Sequence, residues 1–249
     1  MTTGLVRTTL ITGAAQGLGF EIAQTLAHAG HQLVMVDQSP TLGAAVAKLP
    51  RATAAQLDVA NENAVKALQA RLAERNVVID ILVNCAGITG RQGAGKTLVE
   101  DTDLAIWNQV LEVNTTGPFL LCRTFAPAMM DRGWGRIINL SSQAARTRTE
   151  SANSYYAASK AALIGFSRGL ALEIASRGVT VNCIAPGRIT TPMTVATGTA
   201  GDSAYATRAA LGHVGEPQDI AATVAFLCSD DAGYITGATL DVNGGYSMQ

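Results

Sequence analysis

Short apolar runs alternate along the chain with longer stretches in which apolar residues recur at helical spacing. Seven short runs are predicted as strands: Arg7–Thr12, Gln32–Val36, Ala52–Leu57, Ile79–Asn84, Arg136–Leu140, Thr180–Ile184 and Thr239–Val242. The stretches between them are predicted as helices: Gly17–Ala29, Thr41–Lys48, Asn61–Arg75, Asp103–Arg132, Ser154–Ser176 and Pro217–Ser229. Such alternation is typical of successive βαβ units. It predicts an α/β fold in one domain, residues 1–249, with a doubly wound, parallel seven-stranded sheet between two helical layers.

One segment does not follow this alternation. Residues 189–216 are polar and rich in Thr, Ala and Gly, and they show no strong periodicity. Loops of this length in compact domains are usually functional or disordered. We therefore predict that residues 189–216 form an active-site lid.

The composition is unusual because charged residues are scarce. Apolar residues make up 48% of the chain and charged residues only 15%, against roughly 25% charged in ordinary soluble domains. A thinly charged surface is expected of a chain that enters a membrane or packs against other subunits. No uncharged apolar run approaches the roughly 18 residues that a spanning helix needs, since Asp80 and Asn84 interrupt the most apolar stretch. We therefore predict self-association rather than a membrane protein.

Charge and metal-ligating residues exclude further classes of function. The net charge of −1, without a basic stripe, argues against nucleic-acid binding. The three histidines and four cysteines lack metal-ligand spacing, so no metal site is predicted: His28, His31, His213, Cys85, Cys122, Cys183 and Cys228. The N-terminal residues lack a signal-peptide pattern, which leads us to expect a cytoplasmic protein.

A glycine-rich turn, Thr12-Gly13-Ala14-Ala15-Gln16-Gly17-Leu18-Gly19, directly follows the first strand and opens a helix. Gly13 permits a tight turn, Gly17 lets backbone amides approach a pyrophosphate, and Gly19 allows the helix to pack closely on the sheet. The spacing differs from Gly-x-Gly-x-x-Gly, so a plain tight turn remains the alternative. The context predicts a Rossmann fold with a dinucleotide-binding turn that includes Gln16 and Leu18.

Asp37 ends the second strand, 18 residues after Gly19. A carboxylate at this position accepts hydrogen bonds from the adenosine ribose hydroxyls and repels a 2′-phosphate. Gln16 and Gln38 supply no cation that would offset this repulsion. The pattern favours NAD as cofactor over NADP, with an ordinary solvated or capping aspartate as the alternative.

Tyr156 and Lys160 stand at i and i+4 at the start of a predicted helix and therefore share one face. A cation beside a phenol lowers the phenol pKa toward the working pH, as a proton-transferring group requires. Ser142 follows the fifth strand and presents a hydroxyl at the carboxyl edge of the sheet. These three residues are the candidate catalytic group.

In order and spacing, the chain resembles the classical group of the short-chain dehydrogenase/reductase family over nearly its whole length. The matching elements are Thr12-Gly13-x-x-x-Gly17-x-Gly19, Asp37, Asp58-Val59, Asn84-Cys85-Ala86-Gly87, Asn114, Ser142, Tyr156-x-x-x-Lys160 and Pro186-Gly187. Cys85 departs from the family, which usually has a second Asn there. The 13 residues between Ser142 and Tyr156 are one more than in several relatives.

The resemblance implies roles for the site residues. Tyr156 would be the general acid/base, and Ser142 would hydrogen-bond the substrate oxygen. Lys160 would hold the nicotinamide ribose and lower the Tyr156 pKa, while Asn114 would position water in a proton relay. A purely structural Asn114 and a capping Ser142 are the alternatives. Further cofactor contacts would come from Asp58 and Val59 at the adenine, from Asn84, Ala86 and Gly87 at its ribose, and from Pro186, Gly187, Ile189 and Thr191 at the nicotinamide.

The loops in which family members choose their substrate are polar here. They carry Arg146 and Arg148 after the fifth strand and Arg91 after the fourth, although loop arginines are often merely solvated. Such walls suit a small hydroxylated or anionic substrate. We therefore expect an NAD-dependent oxidoreductase acting on a secondary alcohol of the polyol, sugar or hydroxy acid type.

Two other functions remain open. A 3-oxoacyl-(acyl-carrier-protein) reductase shares much of the motif set, but Asp37 opposes NADPH, and Gly133 and Leu172 stand where basic residues would meet an acidic carrier protein. A non-catalytic NAD-binding regulator would be expected to lack Tyr156 or Lys160, and both are present.

Charge is scarcest in two predicted helices and the C-terminal tail. The helix Tyr155–Ile174 carries only Arg168 and Glu173 besides Lys160, and the preceding long helix is similarly poor in charge. A helix without a polar face is buried on two sides. In family members that the chain resembles, these helices form a dimer contact, and the tail Tyr234–Tyr246 would supply a second one. A homotetramer is expected, with a dimer as the alternative.

Overall fold

The computed structural model describes residues 6–90, 95–147, 152–195 and 200–248. Seven strands form one parallel sheet in the order β3-β2-β1-β4-β5-β6-β7. They are β1 (Thr8–Thr12), β2 (Gln32–Asp37), β3 (Ala52–Gln56), β4 (Ile81–Asn84), β5 (Gly135–Leu140), β6 (Val179–Pro186) and β7 (Thr239–Val242). The predicted doubly wound α/β fold is confirmed, and all seven predicted strands lie at their expected places.

Nine helices connect the strands within the described residues. They are α1 (Gly17–His28), α2 (Leu42–Val46), α3 (Glu62–Glu74), α4 (Leu104–Leu111), α5 (Gly117–Arg132), α6 (Ser154–Ile174), α7 (Pro192–Val195), α8 (Ala200–Arg208) and α9 (Pro217–Cys228). Asn61 caps α3 by accepting a hydrogen bond from the Ala64 N–H at 3.0 Å. Gly133 and Gly178, both with positive φ, follow the helical segments that precede β5 and β6.

The helix predicted over Asp103–Arg132 is present over residues 104–132, but it is not α-helical throughout. A π-helical turn, Glu112–Thr116, separates α4 from α5. Pro118 has no N–H with which to bond the Asn114 carbonyl, so the i to i−4 pattern is interrupted at this point. Within the turn the Gly117 N–H bonds to the Glu112 carbonyl, five residues back. Such π-helical turns are frequent at functional sites.

Two apolar cores lie on opposite faces of the sheet, because successive side chains of a strand point to opposite sides. In β1, Leu10 packs into the core beneath α3, α5 and α6, whereas Ile11 packs into the core beneath α1 and α9. Both side chains are fully buried. A sheet covered on both faces explains why the strands contain nearly continuous apolar runs.

The order of the strands reverses at β1, which lies between β2 and β4. Ligands of open α/β sheets bind in the crevice outside the carboxyl ends of the strands at such a reversal. The segments that follow β1, β4, β5 and β6 all begin at this edge. This is where the predicted site residues cluster.

The segment predicted as an irregular lid, residues 189–216, contains regular structure. It includes α7 and α8, and residues 196–199 between them lie outside the described part. The α8 helix contacts the site through Tyr205, as described below.

Among the described residues, no helix is both long enough and apolar enough to cross a membrane.

Candidate active site

The glycine-rich turn is packed tightly against the end of β4. The Thr12 hydroxyl oxygen accepts hydrogen bonds from the N–H groups of Cys85 and Ala86, both at 3.0 Å. Gly13 has φ +67°, and a Cβ on it would lie 2.9 Å from the Ala86 Cα. A Cβ on Gly19 would lie 2.2 Å from the Gly13 carbonyl oxygen. The turn therefore requires glycine at both positions, which brings its amides and the start of α1 to one cleft.

A cleft of about 600 Å³ extends from this turn along the carboxyl edge of β2 and β4. Most predicted cofactor residues line it: Gly13, Gln16, Gly17, Leu18, Gly19, Asp37, Asp58, Val59, Ala86, Gly87 and Thr191. Asp37 accepts the Ala15 N–H at 3.0 Å and the Ser39 N–H at 2.9 Å, one with each carboxylate oxygen. Each oxygen keeps a further lone pair for a ribose hydroxyl. Among the described residues that line the cleft there are two carboxylates and no Lys or Arg.

The structure brings Ser142, Tyr156 and Lys160 together in a smaller cavity of about 130 Å³, which Pro186, Gly187 and Ile189 also line. Ser142 hydrogen-bonds Tyr156, and its hydroxyl oxygen also accepts the Ala144 N–H at 3.1 Å. The Lys160 ammonium donates to the Leu140 carbonyl at 2.7 Å and lies 6.0 Å from the centre of the Tyr156 ring. These contacts hold all three side chains at the end of β5.

Burial dominates the electrostatics of this group. It raises the pKa of Tyr156, and the hydrogen bond from Ser142 opposes that rise. Burial also lowers the pKa of Lys160 to about 8. The expected lowering of the Tyr156 pKa by Lys160 is not the net direction in this structure, because burial of the phenol outweighs the influences that lower its pKa.

Asn114 lies in the π-helical turn beside the site and is fully buried. Its side-chain oxygen accepts the Ile88 N–H at 2.9 Å, and its amide donates to the Ile88 carbonyl at 2.9 Å and the Ser159 hydroxyl at 3.0 Å. A Cβ on Gly87 would lie 3.3 Å from the Asn114 oxygen and 3.2 Å from the Lys160 nitrogen. Asn114 therefore holds the segment after β4 close to Lys160.

The Asn84 side chain points away from the cleft, although its neighbours Ala86 and Gly87 line it. Asn84 is buried and donates to the side-chain oxygen of Asn139 on β5 at 2.7 Å. Asn139 donates in turn to the Ser167 hydroxyl at 2.7 Å, and Ser167 lies 3.1 Å from the Cys183 sulfur on β6. We call Asn84, Asn139, Ser167 and Cys183 the buried polar row.

A second cavity, of about 270 Å³, adjoins the catalytic group on the lid side. Ser142 and Tyr156 line it together with residues that the sequence analysis did not single out individually, although Tyr205 and Arg208 lie in the predicted lid: Gln143, Asn153, Arg188, Tyr205, Arg208 and Tyr246. Tyr205 stacks on Tyr246 with 4.5 Å between ring centres. The position of Gln143 directly after Ser142 was a usable signal, whereas nothing in the pattern of α8 marked Tyr205.

The structure also places the loop residues considered for substrate binding. Arg146 pairs with Asp241 on β7 at 3.0 Å and does not line the second cavity. Arg148 and Arg91 lie outside the described residues. Tyr155, the neighbour of Tyr156, is fully buried and donates its hydroxyl proton to the Gly90 carbonyl, so it packs in the interior.

The residues present fit a nicotinamide dinucleotide. The glycines at the turn leave their backbone open to a pyrophosphate, Asp37 matches ribose hydroxyls, and the cleft runs on to the cavity that holds Tyr156 and Lys160 through shared residues such as Gly87 and Thr191. Among the described residues, no group of His, Cys, Asp and Glu could hold a metal ion.

Comparison with known proteins gives the same class. Residues 13–247 match the family model described as enoyl-(acyl carrier protein) reductase. The chain is 39% identical over 241 residues to the 3-oxoacyl-(acyl-carrier-protein) reductase FabG of Escherichia coli (strain K12), covering 96% of each chain. It is 40% identical over 245 residues to a galactitol 2-dehydrogenase (L-tagatose-forming) of Cereibacter sphaeroides, covering 96% of this chain and 94% of the relative.

Among solved structures, a 3-oxoacyl-(acyl-carrier-protein) reductase from Brucella melitensis with bound NAD is similar, with a TM-score of 0.88 and 32% identity over 97% of this chain and 92% of that one. The chain belongs to the short-chain dehydrogenase/reductase family. It is accordingly an NAD(P)-dependent oxidoreductase.

Proposed function

We propose that the protein is an NAD-dependent dehydrogenase of small secondary alcohols of the polyol, sugar or hydroxy acid type. The observation that carries the choice of NAD is the cofactor cleft, whose described lining holds Asp37 and Asp58 and no cation. A 2′-phosphate beside these carboxylates would be repelled without compensation. The second cavity, small and lined by amide, phenol and guanidinium groups, supports a compact hydroxylated substrate.

Three side chains would perform the chemistry. When bound, NAD⁺ supplies the acceptor for the hydride that leaves the alcohol carbon. Tyr156 takes the hydroxyl proton as that carbon–oxygen bond becomes a carbonyl, and Ser142 hydrogen-bonds the same oxygen. Lys160, whose ammonium lies 6.0 Å from the centre of the Tyr156 ring, would favour the phenolate while it carries positive charge. Because burial raises the Tyr156 pKa, the phenol form dominates at neutral pH, and we expect alcohol oxidation to accelerate as the pH rises.

Reduction of 3-oxoacyl thioesters is the second candidate. It is supported by the sequence identity to FabG and to the Brucella melitensis reductase. Because the structure of that reductase holds NAD, the choice of coenzyme alone does not distinguish the two functions. Galactitol 2-dehydrogenase, at 40% identity, supports polyol oxidation. The amide, phenol and guanidinium groups in the wall of the second cavity favour the polyol.

Steady-state kinetics followed at the NADH absorbance would test the proposal. Polyols, sugars and hydroxy acids are offered with NAD⁺ or NADP⁺, and acetoacetyl thioesters with NADH or NADPH. We expect the highest kcat/KM for an alcohol with NAD⁺. A higher value for thioester reduction, or a preference of the wild type for the phosphorylated coenzyme, would contradict the proposal.

We also propose that the protein forms a homotetramer through α5, α6 and the C-terminal tail. The outward face of α6 consists mostly of small residues, including Ala161, Gly165 and Gly169. It also carries Arg168 and Glu173, and Leu172 on it is 87% exposed. Tyr234, at the start of the tail, is fully exposed. Light scattering tests this: the wild type should be an oligomer at micromolar concentration, and Leu172→Glu should shift it toward smaller species. A monomeric wild type would refute the assignment.

A cytoplasmic location is proposed from the cysteines. All four are free thiols, and Cys122, Cys183 and Cys228 are buried. Unpaired thiols suit a reducing compartment. Fractionation of the native host would test the location, and recovery outside the cytoplasm would contradict it.

A further inference from the structure

Only one end of the Gln143 side-chain amide is hydrogen-bonded within the described part of the protein. Gln143 directly follows Ser142, is 3% exposed and lies in the wall of the second cavity. Its side-chain oxygen lies 2.9 Å from the Tyr205 hydroxyl. Within the described part of the chain, its amide nitrogen has no hydrogen-bond partner. A buried amide left unpaired is costly and rare, so a missing partner is expected at this edge.

The other end of the Gln143 amide, its side-chain oxygen, is positioned by Tyr205. The Tyr205 hydroxyl also lies 2.9 Å from the Asn243 carbonyl oxygen, just after β7. A Cβ on Gly187 would lie 2.0 Å from the same hydroxyl, so the absence of a side chain there is what lets the phenol reach this place. The phenol thus joins α8 to the ends of β6 and β7 and holds Gln143 in one place beside Ser142. Such preorganisation is what a specificity contact requires.

The hydrogen-bonding chemistry of Tyr205 indicates which group is missing. The phenol has one proton and two neighbours, and the Asn243 carbonyl can only accept. The Gln143 amide therefore satisfies the phenol in either orientation, by accepting its proton or, turned over, by donating to its oxygen. The unpaired edge is a donor in the first case and an acceptor in the second. A hydroxyl group pairs with both, whereas a carbonyl or carboxylate oxygen pairs with the donor alone.

We infer that Gln143 determines substrate specificity by binding a second hydroxyl of the substrate, on the carbon next to the one that is oxidised, so that the substrate class is a vicinal diol. The neighbouring carbon is proposed because Ser142 and Gln143 both line the second cavity, so that one compact substrate can reach both side chains. This inference rests on the proposed alcohol dehydrogenase function. It adds the second hydroxyl as a required feature of the substrate.

The test compares matched alcohols that differ by one hydroxyl. The pairs are butane-2,3-diol with butan-2-ol, and the most active hexitol of the panel above with its analogue lacking the hydroxyl next to the oxidised carbon. The enzymes are the wild type, Gln143→Leu, Gln143→Glu and the control Gln218→Leu on the exposed part of α9. The KM for NAD⁺ is measured for each, since a general structural defect would change it.

We expect Gln143→Leu to lower kcat/KM for the diol or hexitol by roughly tenfold or more and to leave the analogue lacking the hydroxyl within about threefold. Gln143→Glu should keep most of the preference, because a substrate hydroxyl can donate to a carboxylate. Gln218→Leu should match the wild type.

Three results would overturn the inference. An unchanged ratio between paired alcohols in Gln143→Leu would exclude the contact while leaving the dehydrogenase function intact. Loss of the preference in Gln143→Glu as complete as in Gln143→Leu would show an acceptor-only partner instead of a hydroxyl. Failure of the wild type to oxidise any alcohol of the panel would overturn the proposed function and this inference together.

Discussion

Replacing Lys160 by methionine should remove one pH-dependent contribution to stability and abolish turnover. Lys160 is 4% exposed, and burial lowers the pKa of its ammonium from 10.5 to about 8. At pH 7 both the folded and the unfolded chain hold the proton, and the folded chain bears the cost of the buried charge, about 3 kcal/mol for a difference of about 2.5 pKa units. Between pH 8 and 10.5 the folded chain has released a proton that the unfolded chain retains. The contribution of Lys160 to the free energy of unfolding therefore rises with pH in this window.

Urea unfolding of the cofactor-free wild type and Lys160→Met, at one subunit concentration, measures this effect. From pH 7 to pH 9 the wild type should gain about 1 kcal/mol relative to the variant. The hydrogen bond to Leu140 that the variant loses is independent of pH and cancels from this comparison. Measurements stop at pH 9 because burial raises the pKa of thiols such as Cys122 to about 12, which opposes the trend at higher pH. A difference that stays constant, or a wild type that loses stability relative to the variant, would refute the reasoning.

Three further substitutions test the rest of the site. Tyr156→Phe should lower kcat by roughly 10²- to 10⁴-fold, the usual contribution of a general acid/base, while NADH binding followed by fluorescence stays near wild type; substantial residual turnover would disprove the role. Asp37→Ala combined with Gln38→Arg should raise the ratio of NADPH to NADH use by about tenfold or more, and an unchanged ratio would show that Asp37 does not select the coenzyme. Gly13→Ala should cost about 2 kcal/mol or more in urea unfolding, because φ is positive and the Ala86 Cα is 2.9 Å from the new Cβ. Its matched control, Gly43→Ala in the open α2, should be neutral or stabilising, and equal losses in both would contradict the packing argument.

The strands and the glycine-rich turn could be predicted from sequence because each depends on local constraints. A strand buried on both faces must be a short apolar run, and the turn between Thr12 and Gly19 needs glycine wherever backbone meets backbone. Ser142, Tyr156 and Lys160 could be brought together because one strand end and one helix face present them. These elements required no knowledge of distant contacts.

The remaining features depend on contacts between distant segments. The helical periodicity of apolar residues continues through Asn114. Only Pro118 indicates that the i to i−4 hydrogen-bond pattern of the helix is interrupted there. Tyr205 meets Gln143 across 62 residues of chain, so no window of sequence contains both. The role of Asn84 could not be predicted from a local motif for the same reason. The motif suggested a cofactor contact, whereas the Asn84 side chain is hydrogen-bonded to Asn139, 55 residues away.

The buried polar row has a consequence for how the strands align. Asn84 pairs in register with Asn139, and Asn139 with Cys183, so the row crosses β4, β5 and β6 at one level. Strands that are apolar on both faces could slide past one another by one residue with little change in buried apolar surface. Here a slip would separate the hydrogen-bonded amides and leave them unpaired in the interior, at a cost of about 1–3 kcal/mol each. The row thus opposes misaligned sheets during folding, and it fixes the depth at which β5 delivers Ser142 to the site.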